Sequence, residues 1–294
     1  MILLWGVAGD SPLAAVRDAL DRRGAAAFFL DQARAGETAF EWVEGGTGRI
    51  TLGGVGCDLS RIVAAYVRPY ATRAVAPDAG AHADRLDACV HGFLDAAVAR
   101  VVNPAEAMAT NSSKPYQLAV IAGHGFAVPD TLVTTDPEAV LAFQANHGQI
   151  IYKSVSGVRS IVRRFSADDT DRLADVGWCP TQFQQYVPGR DYRVHVVGED
   201  VFTCEIVSDA DDYRYAGREG ETVEVLPSRV PEELERRCRA LARCLGLVVA
   251  GIDLRLTPGG AWHCFEVNPS PAFTYYEAAT GLPIADAMAR LLAP

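Results

Sequence analysis

The sequence predicts a mixed α/β protein that combines an open α/β unit with α+β regions. Three observations predict this class. The chain opens with a strand, a helix and a second strand, an order typical of open α/β units. Helical and strand patterns then mix throughout, and most strands after residue 149 pair as antiparallel hairpins. With 49% apolar and 22% charged residues, the composition is that of an ordinary globular protein.

The opening unit is predicted over the first 31 residues. Residues 2–8 form an apolar run of strand length, and residues 25–31 form another. Between them, residues 11–23 place apolar side chains at helical spacing. We expect Ser11 to cap this helix, because a serine side chain accepts a hydrogen bond from a backbone N–H of the first turn.

Three further elements complete the first region. Residues 41–54 predict a hairpin, residues 62–69 a buried strand and residues 81–100 a second helix. The Asn103-Pro104 step follows, and the residue before a proline is disfavoured in helices. The sequence therefore predicts a domain boundary after residue 102.

The rest of the chain is predicted to alternate helices with hairpins. A helix carries Lys114, and a glycine-containing loop joins strands at 149–155 and 161–165. The other predicted elements are a helix at 136–147, a strand at 182–187, a hairpin at 191–207 that turns at Gly198, a helix at 231–247, a hairpin at 249–268 and a short C-terminal helix.

Net charge and cysteine usage exclude several classes of protein. The formal net charge of −10 argues against a nucleic-acid or anionic-membrane partner, because both need a basic face. The seven cysteines are scattered without a C-x-x-C pair, a pattern typical of reduced thiols. The apolar N-terminal run is too short for a signal peptide or a membrane span. We therefore expect a cytoplasmic protein.

Lysine usage is unusual. Only two of the 27 basic residues are lysines, Lys114 and Lys153, and the other 25 are arginines. A coding bias explains the missing lysines but not the two that remain. An ammonium group is a compact charge on a flexible stem, which a planar guanidinium cannot replace. Both lysines are therefore candidate functional residues, the alternative being two surface residues without a specific role.

Two acidic residues are predicted to meet in the last hairpin. With Gly259-Gly260 as a two-residue turn, Asp253 lies directly opposite Glu266. Directly opposed side chains share a face about 5 Å apart, and Asn268 falls on the same face. Two opposed carboxylates repel each other unless a cation lies between them. Two carboxylates and an amide are hard oxygen ligands that suit Mg²⁺, which completes its shell with water and phosphate.

A structural alternative remains for this cluster. Arg255 falls on the same face and could neutralise one of the two acids, while Asn268 could simply begin the turn before Pro269.

The strand that carries Lys153 indicates a phosphate site. A lysine within an apolar strand needs an anionic partner, and the following Ser156 and Gly157 begin a loop whose amides could approach phosphate. For Lys153 the alternative is a solvated strand face, and for Lys114 it is an exposed helix position. No GxxxxGK[ST] or GxGxxG sequence is present, so this prediction depends on the combination of features.

Taken in order, these segments resemble a known family. They are Lys-x-x-Gln on a helix, a strand lysine before a glycine loop, Gln-Gln-Tyr-Val, Asp-x-Arg, Gly-Ile-Asp-Leu-Arg and Glu-Val-Asn-Pro-Ser-Pro. Over residues 104–294 this set is similar to the ATP-grasp superfamily, and within it to ribosomal-S6-type glutamate ligases and microviridin-type (graspetide) peptide ligases. The resemblance implies an N-terminal pre-ATP-grasp domain (1–102), a central lobe (103–185) and a C-terminal lobe (186–294) that clasp the nucleotide.

The resemblance also implies roles for individual residues. Lys114 and Lys153 would contact the phosphates of ATP, together with Ser156 and Gly157. Arg193 would face the transferred phosphate, Asp191 would lie near the ribose, and Arg255 could hold a substrate carboxylate. Asp253, Glu266 and Asn268 would bind two Mg²⁺ ions, with Mn²⁺ as a possible substitute. The adenine hinge would comprise Gln184, Gln185, Tyr186 and Val187.

The implied reaction is an ATP-dependent ligation. A carboxylate of an amino acid or peptide would become an acyl phosphate and then react with an amine or hydroxyl, with release of ADP and phosphate. The nucleophile that accepts the acyl group stays open, because the chain mixes features of both groups. Ser270-Pro271 follows the glutamate-ligase pattern, whereas Asp-Tyr-Arg at 212–214 is similar to a macrocyclase loop. The alternatives are an ATP-grasp kinase and a non-catalytic nucleotide-binding regulator. The oligomeric state stays open, with a homodimer as one option.

Overall fold

The computed structural model describes residues 1–43, 47–155, 162–208 and 222–294. Of the predicted site, Ser156 and Gly157 lie outside the described residues, and so does the Asp-Tyr-Arg segment at 212–214. The described part contains four β-sheets with helices packed against them. The predicted mixed α/β class is confirmed.

The first sheet is parallel, with the strand order β2-β1-β6-β7. Helix α1 (Ser11–Arg22) connects β1 (Ile2–Gly6) to β2 (Ala27–Asp31), as the opening pattern predicts. Strands β6 and β7 are Ala64–Val67 and Arg100–Val102, and the helices between them are α2 (Thr72–Val75) and α3 (Ala81–Ala96). This sheet is apolar because its strands are covered on both faces.

A small antiparallel sheet lies between β2 and β6 in sequence. It consists of β3 (Thr38–Val43), β4 (Thr47–Leu52) and β5 (Val55–Asp58). Ile50, Leu52 and Cys57 from this sheet join Trp5 of β1 in one apolar cluster. The predicted hairpin is thus part of a three-stranded unit that packs against the parallel sheet.

The second large sheet has the antiparallel order β10-β9-β11-β8. Its strands are β8 (Thr131–Thr134), β9 (Ile150–Ser154), β10 (Arg163–Arg164) and β11 (Thr181–Gln185), with α6 (Pro137–His147) between β8 and β9. A 3-10 helix over Ala167–Trp178 covers one face with Leu173 and Val176.

The third sheet has the antiparallel order β14-β13-β12-β15-β16. Its strands are β12 (Arg190–Val197), β13 (Asp200–Ser208), β14 (Val223–Ser228), β15 (Val249–Leu256) and β16 (Trp262–Asn268). Because side chains alternate along a strand, Val194, Ile252 and Leu254 point into the core while Arg193 and Asp253 share the other face.

Helices connect the three large sheets. Helix α4 (Ala105–Met108), α5 (Lys114–Gly123) and α7 (Glu232–Cys244) pack against the core face of the third sheet. Helices α8 (Thr274–Thr280) and α9 (Ile284–Leu292) follow β16, and α9 packs against α1 of the first sheet. The predicted boundaries after residues 102 and 185 separate the strands of the three large sheets. Helices α5 and α9, however, pack against sheets or helices of another segment. These domain boundaries therefore stay a prediction.

Several predicted details differ from the structure. Asp10 rather than Ser11 caps α1, since its side chain accepts from Leu13 N at 2.9 Å. Helix α3 ends at Ala96, and the following Arg-Val-Val joins the parallel sheet because its pairing with β6 outweighs the local helical pattern. Among the described residues, no helix is long and apolar enough to span a membrane.

Candidate active site

A cleft separates the second and third sheets. Its lining includes one of the two lysines, both opposed acids of the last hairpin and the end of β11. The lining residues are Ile151, Lys153, Val162, Gln184, Gln185, Tyr186, Val187, Asp191, Tyr192, Ile206, Asp253, Leu254, Arg255, Phe265 and Glu266. The structure thus gathers around one cavity most of the site residues that the sequence predicts in the described ranges.

The last hairpin brings Asp253 and Glu266 opposite each other, but by a route that differs from the prediction. The turn is not the predicted Gly259-Gly260 pair. Thr257 N donates to Ala261 O at 2.9 Å, so three residues form the loop, and Gly260 takes the left-handed φ of +84°. This wider turn shifts the pairing by one residue, so that Leu254 faces Cys264.

A β-bulge at Phe265 then restores the predicted register. Asp253 pairs with Glu266, and Phe265 has no opposite residue on β15. Without the bulge, a one-residue shift would turn Glu266 into the core and away from Asp253. Phe265 instead lines the cleft, where its ring lies 5.3 Å from the guanidinium carbon of Arg255.

Two buried cations flank the pair of acids. Arg193 Nη1 donates to Asp253 Oδ1 at 2.5 Å, and Lys114 Nζ lies 3.5 Å from Glu266 Oε2. The side chains of Arg193 and Lys114 are only 6% and 7% exposed, whereas those of Asp253 and Glu266 are 33% and 22% exposed. The acids therefore face solvent on one side and cations on the other, which leaves carboxylate oxygens accessible to a metal ion from the cleft.

Gly251 provides the space for Arg193. A Cβ at this position would overlap the guanidinium of Arg193 and would also press on Pro271. The ring of Tyr276 covers the other side, with its centroid 5.6 Å from the guanidinium carbon. Arg193 is thereby fixed between β15 and α8. The sequence carries no signal for Tyr276, because its position depends on how α8 packs over the sheet.

Lys114 is positioned by the helix that carries it. Gln117, three residues later on the same face of α5, exchanges two hydrogen bonds with the backbone of Val267, at 2.8 and 2.9 Å. This contact joins α5 to β16 next to Glu266. The Lys-x-x-Gln spacing in the sequence thus has a structural reason, which is to hold the ammonium group beside the acid.

Arg255 does not have the role that the structural alternative gave it. Its guanidinium binds both carboxylate oxygens of Asp191, at 2.6 and 2.8 Å, and donates to Val187 O at 2.8 Å. This fork joins β15 to β12 and to the segment after β11. Arg193, rather than Arg255, pairs with Asp253.

The segment after β16 is held from both sides. Asn268 Oδ1 accepts from Ser270 N at 2.8 Å, so Asn268 does begin a turn, as the structural alternative predicted. Arg68, the residue after β6, donates to Ser270 Oγ at 2.7 Å and to Asp10 at 2.7 Å. Asn103, only 3% exposed, donates to Pro269 O at 2.6 Å. Arg68 and Asn103 were missed in the sequence because the residues after β16 that they contact lie 202 and 166 positions further along the chain.

The end of β11 forms the far wall of the cleft. Tyr186 packs under Arg164, whose guanidinium carbon lies 4.4 Å from the ring centroid. Gln184 is fully buried, and its Nε2 donates to Thr131 Oγ1 at 2.9 Å. Lys153 lies directly opposite Gln182 on the neighbouring strand, and so on the same face as Gln184.

The site contains one strongly shifted histidine. Burial lowers the pKa of His195 well below its usual value, and the nearby Arg193 lowers it further. The ring packs edge-on against Tyr276, with centroids 4.9 Å apart. His195 is therefore a neutral imidazole on the same face of β12 as Arg193.

The described residues fit Mg²⁺ and ATP. Two neighbouring carboxylates offer hard oxygen ligands, while buried cations beside them suit a polyphosphate. Gln184 Oε1, a buried acceptor without a hydrogen-bond partner among the described residues, suits a base that carries an amino group.

Several known proteins are similar to this chain. Residues 111–292 match the model of a family described as a RimK-like ATP-grasp domain. A Pasteurella multocida protein named probable alpha-L-glutamate ligase is 28% identical over 223 residues, which cover 72% of this chain and 70% of that protein. The matched region covers only 58% of a Histophilus somni protein of the same name.

Two solved structures match over nearly the whole length of both chains. The ATP-grasp ligase PsnB, complexed with a phosphomimetic variant of its minimal precursor, Mg and ADP, has a TM-score of 0.81 and 28% identity, with 99% of this chain and 97% of PsnB covered. The macrocyclase MdnC from Microcystis aeruginosa MRC, bound with the precursor peptide MdnA, has a TM-score of 0.85 and 25% identity, with 100% and 99% covered.

Proposed function

Because this chain belongs to the RimK-like ATP-grasp family and is an ATP-dependent, ADP-forming carboxylate–amine ligase, we propose that it activates a side-chain carboxylate of a peptide. The activated carboxylate is joined to an amine or hydroxyl of the same peptide. The observation that carries this proposal is the Asp253–Glu266 pair, flanked by Arg193 and Lys114 and facing Lys153 across one cleft.

The choice of a peptide depends on the extent of the match. PsnB was solved with a variant of its minimal precursor and MdnC with a precursor peptide, and they match 99% and 100% of this chain, including the N-terminal region. The glutamate-ligase relatives match a smaller share of their own length. An N-terminal region shared with peptide-binding ligases supports a peptide substrate.

We assign the metal site to Asp253, Glu266 and Asn268. These residues would hold two Mg²⁺ ions, and Mn²⁺, which also prefers oxygen ligands, could replace them. Bound there, the metal would neutralise charge on the phosphate oxygens. The second lone pair of Asn268 Oδ1 is compatible with this role even though Ser270 N already donates to the same oxygen.

The chain's own residues would act mainly through position and charge. The substrate carboxylate attacks the γ-phosphorus, and the bond to the β-phosphate oxygen breaks with release of ADP. Arg193 and Lys153 stabilise the negative charge on the transferred phosphoryl group, and Lys114 holds phosphate beside Glu266. The nucleophile then attacks the acyl carbon, phosphate leaves and the nucleophile loses its proton.

The remaining residues would hold the nucleotide. Gln184, Gln185, Tyr186 and Val187 contact the adenine, and Ser156 and Gly157 stay predicted phosphate contacts. Asp191 would lie at the ribose. Because the Arg255 guanidinium is held by Asp191 and Val187 O, we now propose that Arg255 positions the hinge rather than a substrate carboxylate.

Product mass tests the proposal. The protein is incubated with Mg-ATP and a panel of peptides that carry Asp or Glu together with Lys, Ser or Thr. A cyclising ligase releases one ADP for each molecule of water lost from the peptide. A peptide that gains a phosphate would identify a kinase, and ATP binding without ADP release would identify a regulator.

A second candidate is the transfer of free glutamate. Ser270-Pro271, which resembles the glutamate-ligase sequence, favours it, and so does the similarity to the Pasteurella protein. In the same assay with added glutamate, a peptide would gain a glutamyl residue instead of losing water. A cytoplasmic location and a homodimer stay predictions.

A further inference from the structure

Gln184 is held in one orientation by a short chain of hydrogen bonds. Its Nε2 donates to Thr131 Oγ1 at 2.9 Å, and Thr131 Oγ1 donates to Pro129 O at 2.9 Å. Thr131 and Gln184 are directly opposed on β8 and β11. The chain thus runs from a backbone carbonyl through a hydroxyl to the amide that lines the cleft.

The direction of these bonds determines which amide atom faces the nucleotide. A carbonyl oxygen only accepts, so the single proton of the Thr131 hydroxyl is used on Pro129 O. The hydroxyl oxygen can then only accept from Gln184, which places the NH₂ group against Thr131. Gln184 Oε1 is left as a buried acceptor that has no partner among the described residues.

We propose that Thr131 is a positioning residue that selects the nucleotide base through Gln184. An acceptor at this place pairs with the 6-amino group of adenine and repels the 6-oxo group of hypoxanthine or guanine. The selectivity would be strong, because a site built for one hydrogen-bonding partner leaves buried groups mispaired with the other. The inference rests on the proposed function, since it assumes that the cleft binds a nucleotide.

Binding of ATP and inosine triphosphate to purified full-length protein tests this role. The two nucleotides differ in the 6-substituent of the base. Isothermal titration with each Mg-nucleotide gives two Kd values and their ratio. In Thr131→Val the amide can rotate and donate to a 6-oxo group, so we expect the preference for ATP to fall at least about tenfold, the cost of one mispaired buried group. Thr131→Ser keeps the hydroxyl and should keep the preference.

A control variant separates positioning from general damage. Thr134→Val makes the same change on the same strand, where Thr134 Oγ1 accepts from Asp136 N at 2.9 Å on the opposite face of the sheet. It should leave the ratio of the two Kd values unchanged. In a Gln184→Leu background, Thr131→Val should not change the ratio further, because no amide remains to be oriented.

The outcomes are distinct. If Thr131→Val binds ATP with the wild-type preference, or weakens both nucleotides equally, the role of Thr131 is wrong while the proposed function stands. If Thr131→Val does not fold, loss of preference in Thr131→Ser would equally overturn the role, since that variant keeps the hydroxyl. If the wild-type protein binds neither nucleotide, the proposed function itself fails.

Discussion

Replacing Glu266 by glutamine tests the centre of the proposed site. The change keeps the size of the side chain and removes one negative charge. It leaves the buried Lys114 ammonium without the acid that lies 3.5 Å away, and it relieves the repulsion between Glu266 and Asp253.

The two electrostatic effects oppose each other, so the loss of stability should be small. At an effective dielectric constant of about 20, the attraction to Lys114 across the 3.5 Å amounts to about 5 kcal/mol. The repulsion from Asp253, at the roughly 5 Å of a directly opposed pair, amounts to about 3 kcal/mol. We expect the free energy of unfolding without nucleotide to fall by about 2 kcal/mol or less.

Activity should fall much further than stability. If Glu266 holds metal at the transferred phosphate, its loss removes several kcal/mol of transition-state stabilisation, which is a rate decrease of about 100-fold or more. The assay is Mg-dependent ADP release, with urea unfolding measured on the same preparations.

Glu205→Gln is the matched control. Glu205 lies on β13 of the same sheet, its side chain is 19% exposed against 22% for Glu266, and it pairs with Arg190 at 2.9 Å outside the cleft. This variant should keep its activity. Equal rates of ADP release in the Glu266 and Glu205 variants would refute the metal assignment.

Three further predictions concern stability and reactivity. Asn103→Ala should lower the free energy of unfolding by about 3 kcal/mol or more, measured by urea unfolding, because Asn103 is 3% exposed and its four hydrogen bonds satisfy buried backbone groups. The pKa of His195 in the folded protein is lower than that of the same histidine in the unfolded chain, so the unfolded state binds a proton first as the pH falls. The free energy of unfolding should therefore decrease below about pH 6.5, by up to about 1.4 kcal/mol per pH unit. His195→Phe should lose that part of the dependence, which urea midpoints at two pH values would show. Burial raises the pKa of the Cys204 thiol to about 11 and that of the Cys238 thiol to about 12. A thiol reagent should therefore titrate only the three exposed cysteines of the native protein and all seven after denaturation. The exposed cysteines are Cys89, Cys179 and Cys244.

The sequence alone determined on which face of β15 Asp253 lies. Apolar side chains at Ile252 and Leu254 must enter the core, so the strand can bury only one of its two faces, and Asp253 must lie on the other. The predicted turn was wrong, yet the pairing was right, because the wider turn and the bulge each shift the register by one residue in opposite directions.

The bulge is reflected in the burial pattern of β16. Cys264 and Val267 are both fully buried although they are three residues apart, a spacing that a regular strand cannot place on one face. Phe265 and Glu266, which lie between them, therefore both reach the cleft. Two predicted helix boundaries were wrong. The end of α3 was set by the pairing of the following residues with β6, and the cap of α1 was set by the aspartate next to the predicted serine.

Which charges meet across the fold was decided only by the tertiary structure. Arg193 and Arg255 lie on adjacent strands and carry the same charge, yet Arg193 pairs with Asp253 and Arg255 pairs with Asp191. The order of strands, with β12 between β13 and β15, sets these partners, and a pattern of apolar residues does not encode it. The partner of Lys114 was likewise decided by the tertiary structure, since Lys114 lies 152 residues before Glu266 in the chain. Local periodicity determines which way a side chain points, whereas long-range packing determines what it meets there.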